Sequence, residues 1–279
     1  TSMSGNAMSL KARIRNLSKE KNVSAQVILQ NYMFERFLER LSKTDFKNNF
    51  ILKGGMLIAS IVGIDSRSTM DMDATVKNYP ISADSLTKAI SEICNIEIPD
   101  DVVFSFSGIE PIRDDDMYGG YRVLLKATYD TIVTPLSIDI TTGDAITPHE
   151  VLYLYKMIFE KSAIGIWAYN IETVLAEKVE TILNRGELNT RPRDFYDVYI
   201  LVNTQKFDGA IFAEALKETV NHRNTTHIFS DIRDRIEIIR SSRALKDRWT
   251  KYSENYMYAK DIAYENTVDA LVKLIGFLS

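Results

Sequence analysis

The sequence contains a single cysteine, Cys94, and only three histidines, His149, His222 and His227. One thiol excludes an intrachain disulfide and a cysteine-rich zinc site, and so few imidazoles argue against a histidine-built metal centre. A lone thiol fits the reducing cytoplasm, which is the expected location. No apolar run approaches the ~20 residues that a membrane-spanning helix needs, so no membrane partner is expected. Residues 1–8 are small and polar, lack the apolar core of a signal peptide and are expected to fray. Basic charge is not in excess. The 34 Lys and Arg against 38 Asp and Glu leave a net charge of −4, so no global positive field advertises nucleic acid, although a local patch is compatible with that balance. Six prolines and 12 glycines in 279 residues make no linker-like or low-complexity tract, and no internal repeat is visible. The remainder, 45% apolar and 26% charged, is the composition of an ordinary globular protein with room for one large domain or two modest ones.

Periodicity divides the chain. A short helix is predicted over residues 11–19. A longer one follows the cap Ser24, with Val27, Ile28, Phe34, Phe37, Leu38 and Leu41 as its apolar stripe. Strands are predicted at residues 50–52, 70–76, 102–106, 121–129 and 136–140, with further strand signals at 152–157 and 164–169, and a helix at 82–93. From Ile171 onward the pattern is helical. The expected class is therefore α+β: a mixed β-sheet core with N-terminal helices and a helical C-terminal half. The expected domains are residues 1–169 and 170–279, because strand signals stop near Tyr169.

Chemistry concentrates in three places. Residues i and i+2 of a strand share a face, so Asp71 and Asp73 in Met70-Asp71-Met72-Asp73 present both carboxylates together, and Asp139 projects from the polar face of Leu136-Ser137-Ile138-Asp139-Ile140. If the two strands are neighbours, three carboxylates converge on a site suited to Mg²⁺ or Mn²⁺, hard cations that take oxygen ligands. An isolated Asp-x-Asp is more often a solvated strand face. What raises this one is Gly54-Gly55 just upstream, between the apolar run Phe50-Ile51-Leu52 and an amphipathic helix. There the backbone can approach a phosphate closely and offer it free N–H groups. The pattern is not a Walker A loop. Arg67 and Thr69 precede the aspartates and are placed to reach phosphate or base, Arg67 being equally a surface residue. Together these features point to nucleotidyl transfer, with a nucleoside triphosphate (NTP) as substrate.

The C-terminal half carries charge on apolar faces. In the helix from Ile171 to Ile182, Lys178 falls inside the stripe of Ile171, Val174, Leu175, Val179 and Ile182, whereas Glu177 and Glu180 fall opposite. An inward lysine is paired, snorkels, or reaches a ligand such as nucleotide phosphate. In the helix from Arg191 to Leu201, Asp194 shares a face with Val198 and Leu201, and Asp197 lies at its edge. Asp194 suits a helix N-terminus, a pair with Lys178, or a base. Between Arg240 and Lys251, five basic residues interleave with Trp249 and Tyr252. This is either a solvated helix face or a surface able to hold RNA and stack a base.

The ordered set Leu52-Lys53-Gly54-Gly55, Arg67 to Asp73, Ile138-Asp139-Ile140, Glu177-Lys178 and Arg193 to Asp197 resembles the nucleotidyltransferase AbiEii toxin family. That family lies within the DNA polymerase β-like nucleotidyltransferases and supplies toxins of type IV toxin–antitoxin and abortive-infection phage-defence systems. The resemblance implies that Gly54-Gly55 stands where the superfamily has a Gly-Ser phosphate loop, here without the serine hydroxyl. It implies metal ligation by Asp71, Asp73 and Asp139, and nucleotide binding and support of transfer by Lys178 and Asp194. It implies transfer of NMP from an NTP to RNA, tRNA above all, and a cognate antitoxin that need not touch the toxin. Two other readings stay open: a GTP- or other NTP-binding module without turnover, and transfer to protein hydroxyls.

Overall fold

The structure, a computed structural model, describes residues 5–112 and 119–279. Of the segment expected to fray, residues 1–4 lie outside the described ones, and from Gly5 the chain is already helical. The chain forms two compact units, one of Thr1–Gly143 with Val151–Ala168, the other of Asp144–Glu150 with Tyr169–Ser279.

The first unit contains helices α1 (Gly5–Lys21), α2 (Ala25–Ser42), α3 (Gly54–Val62) and α4 (Ala83–Cys94). Its strands are β1 (Phe50–Lys53), β2 (Met72–Val76), β3 (Val102–Pro111), β4 (Tyr121–Tyr129), β5 (Ile132–Thr142), β6 (Val151–Lys156) and β7 (Ala163–Ala168). They form one mixed sheet of order β3-β4-β5-β2-β1-β7-β6. β2 runs parallel to β5 and antiparallel to β1, while β1 runs parallel to β7. The α+β class is as the pattern of the sequence implies.

Register decides which side chains share a face. Phe104, Ala127 and Thr134 are neighbours across β3, β4 and β5. Phe104 meets Phe37 of α2 edge-on at 5.9 Å between ring centroids. The face carrying Val123, Leu125, Leu136, Ile138 and Ile140 is therefore the one that α2 covers, and these five are buried. Met72 pairs with Ile138 and Ala74 with Ile140, so the apolar residues of β2 point the same way. Asp73 and Asp139 then point to the other face.

The apolar stripe of α2 is accompanied by buried polar residues that periodicity does not reveal. Arg40 is fully buried and grips Asp100 through two bonds of 2.8 and 2.9 Å while donating to the Val102 carbonyl at 2.7 Å. Arg36 pairs with Glu35 at 2.7 Å and with Glu39. Burial lifts the Glu35 carboxyl above its ordinary range, against the pull of Arg36. Such pairs add little net stability over apolar packing, but they penalise any register that separates them. Asn31, also buried, donates to the Thr69 carbonyl at 2.8 Å. β2 starts at Met72 and not at the expected Met70.

The second unit is helical: α5 (Ile171–Arg185), α6 (Pro192–Thr204), α7 (Gly209–His222), α8 (Ile232–Ser241), α9 (Arg243–Asn255) and α10 (Tyr264–Ile275). Thr147 is tied to the start of α5, its N–H donating to the Thr173 hydroxyl at 3.0 Å and its carbonyl accepting from Asn170 at 2.7 Å. The expectation that Glu180 faces outward is corrected here. Glu180 is buried, bonded to Arg223 at 2.6 Å and to Thr225 at 3.1 Å. α7 packs along α5, so both sides of α5 are covered. Glu177, on the same side, accepts from the Tyr169 hydroxyl at 3.1 Å. Burial raises that phenol well above its ordinary value, and the nearby carboxylates of Glu177 and Asp144 add to the shift.

Candidate active site

One row of side chains crosses five strands of the sheet. Lys53 on β1 is the register partner of Asp73 on β2. Asp73 partners Asp139 on β5, Asp139 partners Arg122 on β4, and Arg122 partners Glu110 on β3. Residues in register on adjacent strands project from the same face about 5 Å apart. Two carboxylates thus stand side by side with a cation at each flank. Arg122 binds Asp139 through Nε and Nη2 at 2.8 and 2.9 Å. Those hydrogen bonds first, and the charge of Asp139 next, raise the guanidinium above its ordinary value, with smaller pulls from Glu110 and Asp71. Lys53 Nζ donates to the Thr141 hydroxyl at 2.7 Å. Asp71 precedes β2 and is exposed, its carbonyl and N–H in a loose turn with the Thr69 hydroxyl at 3.3 and 3.4 Å.

The glycine pair opens α3 against this row. Gly54 has φ +71°, a left-handed conformation, and a Cβ there would lie 2.3 Å from Asp73 Oδ2. A Cβ on Gly55 would lie 2.9 Å from Thr69 Oγ1 and 3.2 Å from Arg67 Nη2. Only glycine allows backbone, carboxylate and hydroxyl to come this close. Arg67, expected on the surface or at phosphate, is buried and donates to the Ser68 carbonyl. The structure thus brings Gly54, Gly55, Arg67, Thr69, Asp73 and Asp139 into one neighbourhood of the first unit, with Asp71 at its margin.

In the second unit Lys178 Nζ lies 3.0 Å from Asp194 Oδ1 and 3.0 Å from Asp197 Oδ2, and both aspartates are fully buried. Arg191 adds a contact of 3.3 Å to Asp194 Oδ1, while Asp194 Oδ2 is buried with no hydrogen-bond partner. The inward lysine is therefore paired. Asp197, read from the sequence as an edge residue, is its second partner. Of the two readings of the segment from Arg240, the RNA-stacking surface is not supported. Trp249 and Tyr252 are buried, the indole N–H is taken by the Ile262 carbonyl at 2.9 Å, and Arg240 is engaged by Glu265 and Asp269 at 3.1 Å each.

Sequence reasoning missed Arg122. The signal was present, because the two-residue turn Asp130-Thr131 joins β4 to β5. Counting seven residues away from Tyr129 and Ile132, which face each other, sets Arg122 opposite Asp139.

The nucleotidyl transferase AbiEii toxins of type IV toxin–antitoxin systems match this sequence over residues 36–273. The chain belongs to that family. It is a nucleotidyltransferase of the toxin type, with NTP as substrate and a cognate antitoxin as counterpart. MenT4, a nucleotidyltransferase toxin from Mycobacterium tuberculosis, shares the fold at a TM-score of 0.53 and 13% identity, over 96% of this chain and 98% of that one. A protein from Helicobacter pylori described as a nucleotidyltransferase shares it at 0.50 and 17%, over 92% and 96%. No curated protein matches the chain. Among the described residues no helix is long and apolar enough to cross a membrane.

For this toxin-family chain the glycine requirement is unequal. Gly54→Ala meets both a left-handed backbone and the Asp73 carboxylate, Gly55→Ala only side-chain atoms. The first is expected to cost about 1–3 kcal/mol, the second clearly less. Thermal unfolding of the two variants checks the order, and equal melting temperatures would show that the Asp73 contact does not set the glycine requirement.

Proposed function

We propose that this toxin transfers NMP from an NTP to RNA, with tRNA as the acceptor class, using divalent metal held by Asp71, Asp73 and Asp139. The observation that carries the reading is the register pairing of Asp73 with Asp139 beside the left-handed Gly54. Among the described residues no three Asp, Glu, His or Cys side chains are already gathered as a metal cluster. The donors nevertheless fit Mg²⁺ or Mn²⁺: Asp73 and Asp139 offer carboxylate oxygens side by side on one sheet face, and Gly54 lets the start of α3 lie close against Asp73. When bound, such cations supply positive charge at the α-phosphate and at the leaving pyrophosphate.

The chain's own groups do the remainder. The N–H groups at the start of α3 hold phosphate oxygens. The Thr69 hydroxyl, in the space a residue-55 side chain would need, supplies the group that a Gly-Ser loop takes from serine, with Arg67 Nη2 against the same space. An RNA hydroxyl attacks the α-phosphorus, the bond to the β-phosphate oxygen breaks, pyrophosphate leaves, and the hydroxyl proton passes to Asp139. Within the second unit, the Lys178–Asp194 pair, 3.0 Å apart, is the further candidate for nucleotide binding and support of transfer. The setting is the bacterial cytoplasm, in abortive-infection phage defence, countered by an antitoxin that need not bind the toxin.

The test incubates the purified chain and total bacterial RNA with each α-³²P-labelled NTP and Mg²⁺, beside an Asp71→Ala, Asp73→Ala control. Label in a tRNA-sized band, absent from the control, is the expected result and names the nucleotide. Label on protein alone, or NTP binding without pyrophosphate release, overturns the RNA acceptor.

A further inference from the structure

Arg122 is a residue of the row to which the proposed chemistry gives no role. Its guanidinium holds both oxygens of Asp139 and feels Glu110 and Asp71 as well, so it stands among the acidic groups assigned to metal and to the attacking hydroxyl. Its side chain is 45% exposed against 26% for Asp139, so the pair lies at the open face of the sheet and not in the core. A fork-to-fork pair of this kind ties up the lone pairs that a carboxylate uses to ligate a cation. A half-exposed pair is also open to solvent, so an incoming polyanion can reach the guanidinium and compete for it. Arg122 thus sits where it blocks Asp139 and where a phosphate can reach it. The same fork that matches a carboxylate matches a phosphate.

We propose that Arg122 is a substrate-gated latch. Without nucleotide it caps Asp139 and lowers the affinity of the carboxylates for free divalent cation. When the NTP arrives, the guanidinium moves from Asp139 to the triphosphate, and Asp139 becomes available. Metal and nucleotide then bind cooperatively, and the site stays closed to cation alone. This rests on the reading of Asp73 and Asp139 as metal ligands.

The test measures two affinities on the full chain: Mn²⁺ alone, from the loss of the free-ion electron paramagnetic resonance signal, and an α,β-non-hydrolysable NTP analogue in saturating Mn²⁺. Arg122→Gln is expected to bind Mn²⁺ alone at least about tenfold more tightly, since a positive charge beside the carboxylate is gone. It is expected to bind the analogue about tenfold or more weakly, since a charge-assisted bond to phosphate is gone. Arg122→Lys keeps the charge but not the fork, so its Mn²⁺ affinity stays near wild type and its analogue affinity falls between the two. Circular dichroism melting confirms that both variants fold. A merely structural arginine moves the two affinities in the same direction, and that outcome overturns the latch. So does an unchanged Mn²⁺ affinity or an unchanged analogue affinity in Arg122→Gln. If Arg122→Gln binds no Mn²⁺ and Mn²⁺ does not strengthen analogue binding to wild type, the metal reading falls and the latch with it. If wild type binds both and Arg122→Gln matches it, only the latch falls.

Discussion

Lys178→Met is expected to destabilise the second unit by about 3–5 kcal/mol, because it leaves two fully buried carboxylates without their shared cation. Lys178 lies 3.0 Å from an oxygen of each of Asp194 and Asp197 and is itself only 13% exposed. Methionine fills nearly the same volume and removes the charge, so packing loss contributes little. Arg191, 38% exposed and 3.3 Å from Asp194 Oδ1, is too solvated to replace it. Chemical denaturation measures the loss. The companion variant Lys178→Met with Asp194→Asn is expected to recover part of the stability, since one of the stranded charges is gone, while transfer stays absent. Recovery of both stability and transfer would make Lys178 a structural residue only. Unchanged stability in the single variant would mean that the lysine is not what compensates the two aspartates.

Asp73→Asn is expected to lower nucleotidyl transfer by about 10³-fold or more, some 4 kcal/mol of transition-state stabilisation, with a melting temperature within a few degrees of wild type. The two halves of that expectation have separate causes. Asp73 is the carboxylate that lies against Gly54 and pairs in register with Asp139, so in the proposed chemistry it serves both phosphate and metal. It is also half-buried beside another carboxylate, and replacing one of two like charges by an isosteric amide relieves repulsion as much as it loses attraction to Lys53. Quantifying pyrophosphate release at saturating NTP, with unfolding followed in parallel, checks both. Transfer within tenfold of wild type would remove Asp73 from the metal site, and a large fall in melting temperature would make its role structural.

Local chemistry explains why much of this was legible. Alternation in Met70 to Val76 and Leu136 to Ile140 marks half-buried strands whose polar faces carry Asp73 and Asp139, although the first strand begins only at Met72 and leaves Asp71 outside it. The pair Gly54-Gly55 between an apolar run and an amphipathic helix marks a close turn. Lys178 on an apolar stripe signals a partner, because a charge placed inward is stable only when paired. Features that depend on a third element were not legible. Glu180 reads as solvent-facing until α7 brings Arg223 and Thr225 over it. Trp249 and Tyr252 read as either part of a solvated face or a platform until their surroundings cover them. The buried ions of α2 were overlooked because Arg40 finds Asp100 sixty residues further on.

The sequence by itself determined the elements, the α+β class, the polar face on which each candidate aspartate lies and, through the ordered motifs, the family. These follow from periods of 2 and 3.6 residues and from residue types that act within a few positions of themselves. Only the tertiary structure decided that β2 lies against β5 with Asp73 beside Asp139, that Arg122 closes on Asp139, and that Lys178 is shared by Asp194 and Asp197. Strand order and register minimise the free energy of the whole sheet and its covering helices, with partners far apart along the chain, and no local pattern encodes that sum.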